Sequence, residues 1–175
     1  MTKGVPGMSE AEHEHAAPIK NTPLRVATAI ELAAYVGREF VPGRWLAVTQ
    51  DEIDRFVTLT GDQNWIHTDV ARAARELSDA KTIVPGQLLL ALIPKLLQET
   101  YTVTGCAQSQ VAAIRAVRFR RTVHPGDLVR LRARLTLVRQ HPRFVQVDAA
   151  CDLELMSGQK ALMSQRTDVF LTEKG

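Results

Sequence analysis

The segment Gln87–Gln98, QLLLALIPKLLQ, is apolar almost all the way round. A helix of that kind is buried on most of its faces, so the remainder of the chain has to wrap it. It is shorter than the roughly 20 residues a bilayer span requires, and Pro94 and Lys95 interrupt it. Pro85 stands just before Gly86, where the missing N–H is one that no helix start can use. Pro94 lies in the interior, where it removes one backbone hydrogen bond and is expected to bend the helix.

The wrapping comes from downstream. After Gly105 the apolar period changes to two. In VRLRARLTLV, Val129, Leu131, Ala133, Leu135 and Leu137 share one face, opposite Arg130, Arg132, Arg134 and Thr136. In VQVDAACDLEL, Val145, Val147, Ala149, Cys151, Leu153 and Leu155 form the apolar face. The short connection at His141-Pro142 predicts an antiparallel hairpin. Strands at 111–123 and 160–171 make four long strands after one buried helix. A one-sided sheet beside such a helix must cover it, so the predicted class is α+β, a curved antiparallel sheet around a central helix.

Upstream, Ile30, Leu32, Ala33, Tyr35 and Val36 suit a short helix ending at Gly37, and Arg44–Val48 suits a strand. Thr49 stands three residues before Glu52, a capping-box spacing, and Ile53, Phe56, Val57 and Thr60 follow at helical intervals. Gly61-Asp62 stops that helix, and Asp69 caps another over 70–77. Residues 1–22 have no apolar period and read as a flexible tail, in which His13 and His15 alternate with Glu12 and Glu14 as a solvated run. The 175 residues are enough for one domain with its own core. Cys106 and Cys151 form no C-x-x-C and read as free thiols. With no apolar stretch of a secretory signal at the start, a cytoplasmic, non-membrane protein is expected.

Charge raises the question of nucleic acid. Net charge is only +3, yet the pI is about 9.1, and nine arginines fall between Arg115 and Arg143 against the single acid Asp127. The hairpin answers most of it. A register whose paired numbers sum to about 284 sets Arg130 beside Glu154 and Arg132 beside Asp152, with Asp148 diagonal to Arg134. Cross-strand ion pairing is therefore preferred to polyanion binding, and no nucleic-acid motif accompanies the row. Arg118, Arg120, Arg121 and Arg143 fall outside that register and suit the phosphates of a small molecule.

Chemistry concentrates in Phe56–His67, FVTLTGDQNWIH. Asp62 and His67, five apart, would lie about 140° from each other on a helix. Gly61-Asp62-Gln63-Asn64 is a turn composition, so the chain leaves the helix and Asp62, Asn64 and His67 converge. An Asp and a His are the minimum set for deprotonating a water. A metal site from His67, Asp69 and Asp62 lacks the second His or Cys of strong sites. Downstream, Val84-Pro85-Gly86 opens the buried helix. A glycine there admits a ligand to the backbone, and the helix N-terminus supplies N–H groups and partial positive charge, as an oxyanion hole does.

These segments, FVTLTGDQNWIH, TIVPGQL (Thr82–Leu88) and VRFRRTVHPGD (Val117–Asp127), resemble the MaoC-like dehydratases, the hot-dog-fold family that includes (R)-specific enoyl-CoA hydratases. Trp65 in place of the usual proline looks closer to the nodulation protein N-type branch. Pro85 stands where a histidine commonly precedes the glycine, and Pro94 where short-chain hydratases have serine. The resemblance implies a hot-dog domain over residues 23–175 that reversibly hydrates a trans-2-enoyl thioester. It implies Asp62 and His67 as catalytic residues, and Asn64 and Gly86 on the substrate side. It also implies no metal or redox cofactor, an acyl-CoA partner and a homodimer. A non-catalytic acyl-CoA-binding module and an acyl-CoA thioesterase are the alternatives on the same fold.

Overall fold

The structure, a computed structural model, describes residues 23–171. The N-terminal segment expected to be a tail, with its two histidines, and residues 172–175 lie outside the described residues. Gly86–Gln98 forms the central helix, α4, with Leu89, Ile93, Leu96 and Leu97 buried. It stays helical through Pro94. Full burial of leucines of this kind contributes about 2 kcal/mol each, and the sheet provides the cover.

That sheet has five strands in the order β2-β5-β6-β7-β4. They are β2 (Leu46–Ala47), β4 (Gln108–Phe119), β5 (Leu128–Gln140), β6 (Phe144–Leu155) and β7 (Lys160–Leu171), all antiparallel. The alternation in the sequence places Val129, Leu131, Ala133 and Leu135 of β5, and Val145 to Leu153 of β6 at alternate positions, on the buried face toward α4. This is the curved sheet around a buried helix expected of a hot-dog fold. Two short strands, β1 (Leu24–Val26) and β3 (Tyr101–Val103), pair in parallel beside the sheet; three residues each are too few to show a period.

The β5–β6 register is Arg130 opposite Glu154 and Arg132 opposite Asp152, as the sum rule requires. Arg130 pairs with Glu154 at 2.5 Å and lies over the Trp45 ring. Two charge partners differ from expectation. Arg132 reaches Glu39 and Glu154, while Asp152 takes Lys160 from β7. Arg134 stands opposite Ala150, which leaves Asp148 diagonal to it, but the ion partner of Asp148 is Arg115 at 3.8 Å, and a bulge between Leu135 and Leu137 then shifts the register by one. The same slip brings Val138 against the core.

The upstream helix is a 3-10 helix, Ala29–Tyr35, capped by Thr28 and Glu31. Three residues per turn align Ala29, Leu32 and Tyr35 on the inner side, leaving Ile30 and Val36 exposed instead of in an apolar face. The strand expected over 44–48 shrinks to Leu46–Ala47. β4 begins earlier and ends at Phe119, because the N–H groups of Arg120 and Arg121 both turn to the Ala161 carbonyl. The next segment leaves the ladder, and the Val123 carbonyl accepts from the Val84 N–H just ahead of α4.

Candidate active site

The site begins where helix α1 (Gln50–Thr60) ends. Gly61 has φ of 72°, a left-handed conformation that favours glycine, and turns the chain sharply out of the helix. Asp62 follows, its N–H donating to the Val57 carbonyl at 3.1 Å. One carboxylate oxygen, Oδ1, accepts the Asn64 N–H at 3.0 Å, closing an Asx turn. Asn64 then caps a one-turn helix, α2 (Trp65–Thr68), its Oδ1 accepting from the Ile66 N–H. That turn was not visible as an element in the sequence. It delivers His67 to the interior, with 8% of the residue exposed.

Both edges of the His67 ring are defined. Nδ1 lies 2.6 Å from the Ile83 carbonyl oxygen. A carbonyl only accepts, so Nδ1 carries the proton and, in the neutral ring, Nε2 presents a lone pair. Nε2 is 3.8 Å from Asp62 Oδ2. That is too long for a direct hydrogen bond, and a single water can touch both acceptors. The pair is thus arranged to hold the two protons of one water.

A buried brace fixes this arrangement. Gln50 Nε2 donates to the His67 carbonyl at 2.8 Å, and Thr82 Oγ1 donates to Gln50 Oε1 at 2.5 Å. The Ile83 N–H donates to the Ile66 carbonyl, and His124 Nδ1 meets the Thr82 carbonyl at 2.8 Å. Sequence reasoning missed Gln50, Thr82 and His124 in this role. Several of these bonds run to main-chain carbonyls, which every residue possesses, so residue type gives no signal.

His67 opens onto a cavity of about 360 Å³. Gly86 and Leu89, at the start of α4, form another wall, and Phe119, Arg120 and Arg121 close a third. The first-turn N–H groups of α4 have no acceptor within the helix and carry the positive end of its dipole. A Cβ on Gly86 would stand 2.5 to 2.9 Å from the Phe119 ring carbons, so any side chain there has to displace the ring. His67 and Gly86 therefore share one cavity. Asp62, at 37% side-chain exposure, reaches the histidine from outside its lining, and the Asn64 amide is held by its helix cap. Asp69 is likewise engaged, accepting from the Arg72 N–H at the start of α3 (Val70–Glu76).

Residues 31–154 match the family model described as the MaoC like domain. The chain belongs to that family. A 3-hydroxyacyl-thioester dehydratase Z of Mycobacterium tuberculosis is 38% identical over 100 residues, 57% of this chain and 66% of the relative's length. Nodulation protein N of Rhizobium meliloti is 35% identical over 63 residues, 36% of this chain and 39% of that protein. The fold is that of solved (R)-hydratases. One from Pseudomonas aeruginosa superposes with a TM-score of 0.63 at 21% identity, covering 79% of this chain and 83% of its own. One from A. caviae, described as involved in PHA biosynthesis, gives 0.63 at 23% identity over 76% and 94%. This MaoC-like chain spans 66% of the dehydratase relative it matches. Among the described residues no helix is long and apolar enough to cross a membrane.

Proposed function

We propose that this MaoC-like protein reversibly hydrates a trans-2-enoyl thioester, in the form of an enoyl-CoA, to a 3-hydroxyacyl thioester. The observation that carries the reading is the Nε2–Oδ2 separation of 3.8 Å between His67 and Asp62, on a cavity whose facing wall is the Gly86 end of α4. A water held by both acceptors presents its oxygen to C3. One of its protons passes to the pair and returns at C2, so no proton is gained or lost overall. The Gly86 N–H donates to the thioester oxygen as it gains enolate charge. The reaction as written calls for no metal or redox cofactor, because the thioester itself acidifies C2. Asn64 acts as a positioning residue through its bond to Asp62.

Arg120 and Arg121 stand on the cavity rim, exposed, where the phosphates of a coenzyme A would lie. The same reading includes a homodimer, with a second copy covering the exposed edge of β4. Two free thiols fit a reducing cytoplasm.

The test is loss of conjugated-enoyl absorbance with purified protein and a short and a longer enoyl-CoA. Wild type is expected to turn over, and Asp62→Asn and His67→Gln each to lower kcat at least about 100-fold. If wild type binds acyl-CoA but neither it nor the variants turn over, the protein is a binding module. Release of free thiol without hydration identifies a thioesterase.

A further inference from the structure

A second cavity, of about 240 Å³, opens at the far end of α4. Pro94 and Leu97 of the helix, Tyr101 and Val103 of β3, and Phe170 of β7 give it apolar walls. The rest of its lining is more polar: Gln98, Thr102, Cys106 and Ser109, together with an ion pair. Arg166 and Asp168 have side chains only 9% and 7% exposed, on the inward face of β7 among Leu162, Ser164 and Phe170. Buried charges of this kind are uncommon and strongly desolvated, and the hydration reading makes no use of them.

The hydrogen bonds around the pair are incomplete. Arg166 Nε and Nη2 donate to the two Asp168 oxygens at 2.8 and 2.7 Å. A guanidinium has five N–H groups, so three remain without an acceptor among the described residues. Tyr101, 5% exposed, also has a hydroxyl without a partner among them. Burial, reinforced by the Asp168 carboxylate, raises its pKa, so the hydroxyl stays protonated as a donor. These donors are not sealed in. Among the described residues, the side-chain polar atom that is both sealed from solvent and unpartnered is His141 Nε2. The spare donors of Arg166 and Tyr101 therefore face the cavity both residues line.

The site thus has surplus donors and, because Asp168 balances Arg166, no net charge. An anionic group would gain the donors and meet the Asp168 carboxylate. A neutral oxygen meets the donors alone. The cavity lies eight to twelve residues along α4 from Gly86, about 12–18 Å at the helical rise. An acyl chain of roughly ten carbons spans the nearer distance with C–C bonds of about 1.5 Å. Between the two cavities, Leu90, Ile93, Ile114, Ser164 and Arg166 line a gap too narrow for a water molecule. Ile114, 42% exposed on the outermost strand, is the side chain there with room to move aside.

We propose that the far cavity receives the distal end of the acyl chain, and that it selects a neutral oxygen there, a hydroxyl or keto group accepting from Arg166 and Tyr101. This rests on the enoyl-thioester reading of the Gly86 site. The experiment is calorimetric titration of the protein with saturated acyl-CoAs of roughly ten carbons that end in methyl, hydroxyl or carboxylate. The hydroxyl-ended chain is expected to bind at least about tenfold tighter than the methyl-ended one, the scale of a hydrogen bond to a charged donor. The carboxylate-ended chain gains nothing. Tyr101→Phe is expected to cut the hydroxyl advantage at least about threefold. Arg166→Leu combined with Asp168→Leu, which removes the pair without leaving a lone buried charge, is expected to abolish it while methyl-ended chains still bind. Equal affinity for methyl and hydroxyl ends overturns the proposal, as does a preference that survives both variants. Turnover of the matching enoyl-CoAs separates the two readings. Hydration without hydroxyl preference removes the far-cavity proposal alone, and preference without hydration removes the hydratase reading alone. If no acyl-CoA binds, both fall.

Discussion

Gly86 answers to two demands that a single substitution can separate. The Phe119 ring lies where a Cβ would be, and the reading above also brings a thioester oxygen to the Gly86 N–H. The ring is 54% exposed and can turn toward solvent, so a methyl group displaces it at little cost to the fold. Gly86→Ala is therefore expected to leave Tm within a few degrees of wild type, while kcat/KM for an enoyl-CoA falls at least about tenfold. Adding Phe119→Leu relieves the ring contact and leaves the ligand contact impaired, so activity is not restored; full recovery would assign the glycine to packing alone. At this scale residue type was legible and state was not. Asp62 and His67 stand out because a turn composition between them breaks helical phase. The tautomer that makes Nε2 a base depends on the Ile83 carbonyl, 16 residues away and without a side-chain signature.

At the scale of elements, α1 has to hold its axis because it aims Asp62 from its C-terminus. Its N-terminus is fixed by a reciprocal box in which the Glu52 carboxylate accepts from the Thr49 N–H at 2.8 Å and the Glu52 N–H donates to Thr49 Oγ1. The Thr49 N–H, then its hydroxyl, hold the Glu52 pKa below its ordinary 4.5. A carboxylate held low in the fold stabilises it above the unfolded value and stops doing so as pH falls through the folded value. Thr49→Ala is expected to cost about 1 kcal/mol at neutral pH, roughly 2–4 °C in Tm. The difference from wild type should shrink below pH 4.5, as measured by thermal melts across that range. A difference that does not change with pH would mean that the hydroxyl, not the carboxylate, carries the cap. This box and the β5–β6 pairing were legible because each is a local rule of spacing. The 3-10 geometry at Ala29–Tyr35 and the bulge after Leu135 were not. In each a one-residue change of phase is imposed by what the segment packs against, while the local apolar pattern fits both alternatives.

For the whole molecule the open question is the β4 edge. β4 is the outermost strand, twelve residues long and about 40 Å end to end, and it pairs only with β7 among the described strands. Val111, Ile114 and Phe119 lie opposite Asp168, Arg166 and Leu162, all three inward-facing on β7, so they carry the concave face out to the sheet edge. They remain 42 to 54% exposed. A long edge with apolar side chains is a pairing template that monomeric proteins avoid. Bulges after Val111 and Arg115 interrupt the ladder, leaving short regular stretches between them. The proposed second copy of the chain, related by a two-fold axis, would satisfy both the unpaired backbone and the apolar fringe with one self-complementary surface. Phe119, Arg120 and Arg121, at the end of that strand, form a wall of the Gly86 cavity, so closing the edge in this way is expected to shape the site as well. Sedimentation equilibrium is expected to give a dimer at micromolar concentration. Val111→Lys, which sets like charges against each other across a two-fold contact, is expected to shift it toward monomer and lower kcat/KM on the same enoyl-CoA, although Val111 lies outside the cavity lining. A wild-type monomer that hydrates enoyl-CoA at full rate would show that the site is complete in one chain, and that the bulges suffice to keep the edge unpaired.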